Sequence, residues 1–127
     1  VGTLCWNSHR HLELYFAVPC FGAVLHTLNL RLAADQLAYI IQHAGDKVIF
    51  VDASLVNLLE QIRADIPEVT QFVILDDEPL DNHSLSPASD YESLLRDAPA
   101  GPFPWPTLDE NTACATCYTS GTTGHPK

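Results

Sequence analysis

The chain has 127 residues, 46% of them apolar, and carries 6 Lys and Arg against 16 Asp and Glu for a formal net charge of −10. That apolar content supports one folded domain with a core rather than a disordered chain, while so acidic a balance offers no basic surface to a nucleic acid and is repelled by an anionic membrane. The longest apolar stretch, residues 14–25, is interrupted by Pro19 and Gly22 and is too short to span a bilayer.

The sequence begins at Val1, contains no Met, and shows no charged segment ahead of an apolar one. That is odd for a complete gene product; it shows no secretory signal and reads as a protein of the cytoplasm or an organelle matrix. In that setting Cys5, Cys20, Cys114 and Cys117 do not suggest a disulfide framework, and buried free thiols are expected.

In chain order, residues 1–6 read as a strand. Asn7 and Ser8 can cap a helix over the following HRHLELYFAV, which Pro19 and Gly22 should end. Residues 23–28 read as a second strand. Leu37, Ile40, Ile41 and Ala44 recur at helical spacing, predicting a helix over 34–44 capped by Gly45. Residues 47–52 (KVIFVD) form a continuous apolar run with β-branched residues, as in a strand buried on both faces. Leu55, Leu58, Leu59, Ile62 and Ile66 predict another helix, stopped by Pro67, and residues 71–76 another buried strand. Strands alternating with helices predict a three-layer α/β fold with a mainly parallel sheet, in which 23–28, 48–52 and 72–75 are neighbours. Trp6, Tyr15 and Phe16 are expected in its core, and His26, inside a strand, is expected as a hydrogen-bonded core residue.

Residues 76–101 are acidic, with Tyr91, Leu94 and Leu95 alone hinting at a short helix, and read as a solvated connector. The Pro-rich PFPWP at 102–106 follows, then a strand at 113–118. The organisation expected is strand–helix repeats over 1–76, a connector over 77–107, and a strand with a loop over 108–127.

That loop carries the chemistry. After Tyr118 come Thr119, Ser120, Gly121, Thr122, Thr123, Gly124, His125, Pro126 and Lys127. Glycines let backbone N–H groups approach an anion and form a nest for it. Hydroxyls donate to phosphate oxygens and can ligate Mg²⁺, for which Thr122 is the candidate. Lysine adds a point charge for a polyphosphate. Two residues separate the glycines and Pro126 precedes the lysine, so this is not a Walker A loop.

The segment YTSGTTGHPK resembles the AMP-binding signature of the adenylate-forming superfamily, and residues 6–32 and 36–52 resemble the N-terminal domain of medium- and long-chain fatty acyl-CoA ligases. The resemblance runs along essentially the whole chain. It implies an acid–thiol ligase whose substrates are ATP, a fatty acid and CoA, with Mg²⁺ carried by ATP. Thr119, Ser120, Gly121, Thr122, Thr123, Gly124 and Lys127 would bind the ATP phosphates. The family's later motifs, including its catalytic lysine, have no counterpart here, so no catalytic residue is assigned, the remainder of the chain is required, and the piece alone is expected to be inactive.

Other readings fit less well. His11-Leu12-Glu13 and Cys114-Ala115-Thr116-Cys117 echo a zinc deaminase, but Ala113 replaces the expected proline and the Cys pair lies in a strand, where i and i+3 face opposite ways. A thioredoxin-type role fails because that motif opens a helix. Outside catalysis, the acidic connector could serve a non-catalytic interaction module, and within the superfamily an aryl or amino acid adenylation branch remains the alternative.

Overall fold

A computed structural model describes residues 1–119 and residue 126. The elements are β1 (Gly2–Leu4), α1 (His9–Cys20), β2 (Leu25–Thr27), α2 (Ala34–Ala44), β3 (Val48–Asp52), α3 (Val56–Ile62), β4 (Gln71–Leu75), β5 (Ala88–Asp90), α4 (Tyr91–Asp97) and β6 (Ala115–Cys117). The strands form one six-stranded sheet of order β5-β4-β3-β1-β2-β6, and each neighbouring pair is parallel.

This order explains the layers. The chain moves from β1 to β2 in one direction, then returns across β1 to β3 and continues to β4 in the other. Right-handed crossovers must then place α1 on one face and α2 and α3 on the opposite face. The packing agrees: Leu37, Ile40 and Ile41 of α2 and Val56, Leu59 and Ile62 of α3 cover Leu4, Ile49, Val51, Phe72 and Ile74. On the other face, Leu14 and Val18 of α1 and Tyr91 of α4 cover Leu25, Val73 and Leu75.

The helix ends follow local chemistry. Ser8 accepts the His11 N–H and caps α1. Gly45 ends α2 in the left-handed conformation at φ 69°, while its N–H reaches Gln42 and that of Asp46 reaches Ile41. That pair of bonds satisfies carbonyls the helix leaves open.

Several expectations are corrected. Pro19 sits inside α1, which runs one residue further; the ring removes only one late helical bond, and the turn closes through Phe21 N–H to Ala17. The strands around 23–28 and 48–52 share the sheet but are separated by β1. The acidic stretch contributes β5 and α4 rather than a bare connector: β5 pairs with β4 over 88–90, and Leu85 and Tyr91 are buried. Two of its carboxylates are tied to α1, since Arg10 donates to Asp77 at 2.6 Å and to Glu92 at 2.7 Å, and its Tyr91 Oη donates to Glu13 of α1 at 2.7 Å.

Trp6, Tyr15 and Phe16 are exposed, not core: Tyr15 and Phe16 lie on the outer side of α1, whose buried face is Leu14 and Val18. Of the cysteines Cys5 alone is buried. Cys20 follows the end of α1's packed face, and Cys114 and Cys117 belong to the edge formed by β6. His26 is as expected, 1% exposed and hydrogen bonded. No helix among the described residues is long and apolar enough to cross a membrane.

Candidate functional site

β6 lies at the edge of the sheet beside β2, with Leu25, His26 and Thr27 opposite Ala115, Thr116 and Cys117. Because the pair is parallel, the chain leaves β6 at the same end where β1, β2 and β3 finish. In open parallel α/β sheets the carboxyl ends of the strands are where ligands bind.

Tyr118, the first residue beyond β6, turns onto the α2 face and packs against its core. Its ring lies 5.1 Å from that of His26 and stands edge-on to His43 at 5.7 Å. Its hydroxyl is 2.5 Å from His43 Nδ1, and the His43 ring stacks on Tyr39 at 5.4 Å. Loss of hydration raises the Tyr118 phenol above its ordinary range, with Tyr39 and Asp46 adding to it, so the hydroxyl keeps its proton at neutral pH. Beneath it, His26 Nδ1 meets Asp46 Oδ2 at 2.6 Å. His26 Nε2 has no hydrogen-bond partner among the described residues.

Thr119 follows and is exposed. Pro126 is buried. The remaining expected phosphate ligands, Ser120, Gly121, Thr122, Thr123, Gly124 and Lys127, lie outside the described residues, as does His125. Sequence reasoning treated Tyr118 only as a strand end. The signal that could have singled it out is an aromatic residue directly at the exit from a strand into the Gly- and Thr-rich run.

Beside this exit, a cleft of about 440 Å³ opens at the carboxyl ends of β1 and β2, where their connections depart to opposite faces. Cys5, Trp6, Asn7, Asn29, Arg31 and Leu55 help to line it. Trp6 Nε1 donates to Ser54 Oγ at 2.9 Å, which anchors the indole despite its exposure.

The zinc-deaminase pattern does not assemble. Glu13 accepts from Tyr91, His11 Nε2 lies 3.1 Å from Thr3 Oγ1, and among the described residues no three His, Cys, Asp or Glu side chains are grouped to hold a metal ion.

The fold is thus that of a doubly wound α/β domain in which β6 ends, and Tyr118 and Thr119 follow, at the carboxyl ends of the sheet strands. The AMP-binding enzyme family matches residues 1–127, and the chain belongs to that family. It is 46% identical, over all of its length, to 24% of the 3-methylmercaptopropionyl-CoA ligase of Ruegeria lacuscaerulensis. It is 45% identical, again over its whole length, to 22% of a long-chain-fatty-acid–CoA ligase of Thermus thermophilus. Among solved structures it is similar to a Mycobacterium tuberculosis fatty acyl CoA synthetase, with a TM-score of 0.78, 26% identity, and coverage of 98% of this chain and 22% of that one. The chain therefore spans about a quarter of the length of these relatives.

Proposed function

We propose that these residues belong to an ATP-dependent fatty acyl-CoA ligase of the AMP-forming kind. The observation that supports the reading is the end of β6: Tyr118 and Thr119 follow it at the carboxyl ends of a parallel sheet, in a chain 45% and 46% identical to CoA ligases. In this reading a carboxylate attacks the α-phosphate of ATP, forming the acyl-adenylate and releasing pyrophosphate. The thiol of CoA then attacks the acyl carbon and AMP departs.

Thr119, Ser120, Gly121, Thr122, Thr123, Gly124 and Lys127 hold the β- and γ-phosphates through hydroxyl, backbone and ammonium donors. Their work is electrostatic and positional. Magnesium, arriving with ATP and met by Thr122, would offset charge on the phosphates. The chemistry of the donors fits such ligands: glycines, hydroxyls and one lysine within nine residues carry no carboxylate to repel a polyphosphate. Residues 1–76 form most of the scaffold, 77–107 add β5 and α4 to it before the Pro-rich link, and 108–127 present the loop. The rest of the parent chain supplies the catalytic residues, and the enzyme works in the cytoplasm or an organelle matrix.

The acidic-module reading is disfavoured because Asp77 and Glu92 are engaged by Arg10 within the fold. The test is pyrophosphate release by the full-length protein given MgATP, CoA and a panel of acids. Release with fatty acids supports the proposal; release only with aryl or amino acids assigns it to another branch.

A further inference from the structure

We infer that Tyr118 is a positioning residue for ATP, which sets the course of the phosphate-binding run by clamping the exit of β6 onto α2. The inference rests on the function proposed above. Its structural basis is separate, because it uses only residues 26–46 and 115–118.

β6 is a three-residue strand, paired with β2 among the described residues. So short a strand fixes the direction of the chain beyond it poorly, and a ligand loop must be held closely to gain from positioning. Tyr118 supplies what the strand lacks. Its ring rests on the buried His26, which is itself fixed by Asp46 on the turn that ends α2. Its hydroxyl engages His43 in the last turn of α2, and His43 is steadied by the stacked Tyr39. With Nδ1 of His43 unprotonated, the phenol donates and the imidazole accepts. Tyr118 thus ties the first residue after β6 to a helix on the opposite side of β2, and Thr119, the first proposed phosphate ligand, is the next residue in the chain. Neither Tyr118 nor His43 need touch substrate for this role.

The test uses the full-length protein with Tyr118→Phe, His43→Leu, the double variant and Tyr118→Leu. Pyrophosphate release is followed against ATP and, separately, against the carboxylate. Tyr118→Phe and His43→Leu should each raise KM for ATP about threefold, the size expected for one partly exposed hydrogen bond, and the double variant should match the singles rather than multiply them. Tyr118→Leu, which also loses the ring contact, should raise it about tenfold. KM for the carboxylate and the melting midpoint of Tyr118→Phe should stay at wild-type values, and the phenylalanine should restore most of what leucine loses. An unchanged KM for ATP in all variants overturns the positioning role, as do multiplicative effects or an equal rise in both KM values. If wild type works normally and Lys127→Ala is impaired, such results strike this inference alone. If wild type releases no pyrophosphate with any acid, the functional reading fails and takes the inference with it.

Discussion

His26 and Asp46, twenty residues apart in sequence and 1% and 3% exposed, share a 2.6 Å hydrogen bond between Nδ1 and Oδ2. The bond joins β2 to the turn between α2 and β3, across β1. Removing one partner of such a buried pair costs more than the bond itself, because the other is left dry and unpaired. Asp46→Ala should therefore lower unfolding stability by about 3 kcal/mol, while Asp46→Asn, which keeps an acceptor, should cost about 1 kcal/mol. Urea denaturation followed by circular dichroism measures both, and equal costs would contradict the assigned role of the acceptor.

Gly2 belongs to the same arrangement. A Cβ there would sit 3.2 Å from Asp46 Oδ2, 3.2 Å from Ile49 Cγ1 and 3.3 Å from Leu28 Cδ1. None of these can retreat easily, since His26 holds Asp46 and the other two lie in the core. Gly2→Ala should cost about 1–3 kcal/mol through overpacking. Gly45→Ala meets no atom within 4 Å, yet should cost about 1–2 kcal/mol because Gly45 has φ 69°. The same denaturation series distinguishes them: relaxing the packing with Leu28→Ala, which removes the Leu28 Cδ1 contact, should relieve part of the first and leave the second unchanged.

Arg10 makes the connector sensitive to acid. Its guanidinium hydrogen bonds, and then its charge, hold the Asp77 carboxyl below its ordinary value. A lowered folded-state pKa means that the stabilisation is complete above the ordinary aspartate value of about 4 and is lost as pH falls through the lowered one. Amide exchange in α4 should accelerate as pH drops through that window, after correction for the intrinsic rate. Arg10→Gln should exchange faster at neutral pH and lose the acid dependence. An acid dependence that survives the substitution would show that another carboxylate governs it.

Cys5 differs from its fellow thiols. Burial, with the Asp52 carboxylate adding to it, pushes its pKa up to about 12. The thiolate is the reactive form, so Cys5 should resist alkylation in native protein at about pH 8 and react only after denaturation. Cys20, Cys114 and Cys117 are exposed in this part of the fold. Mass spectrometry of iodoacetamide adducts reads the difference, and labelling of native Cys5 as fast as Cys20 would contradict its burial.

Much of the architecture was legible because the buried elements repeat a clear period. Leu37, Ile40 and Ile41 announce α2, and the run at 48–52 announces β3. β5 was not legible. Its three residues, Ala88, Ser89 and Asp90, are all partly buried and carry no apolar run, and the strand exists through backbone pairing to β4. Tyr15 and Phe16 misled because aromatic content marks a core only when its spacing matches the packed face, here that of Leu14 and Val18. At the site, the Thr119–Lys127 run was conspicuous by composition. The Tyr118–His43 contact was not, since it joins residues 75 apart and depends on β6 lying beside β2.

The central claim is that the Thr119–Lys127 run grips the phosphates of ATP in a fatty acyl-CoA ligase. The most direct measurement is pyrophosphate release by the full-length protein with a fatty acid, CoA and limiting MgATP, comparing wild type with Lys127→Ala and recording both melting midpoints. A lost ammonium–phosphate contact is worth about 1.5–3 kcal/mol, so kcat/KM for ATP should fall roughly ten- to a hundredfold while the midpoint stays put. Unchanged turnover of Lys127→Ala at limiting ATP, or release with amino acids but not with fatty acids, would contradict the account.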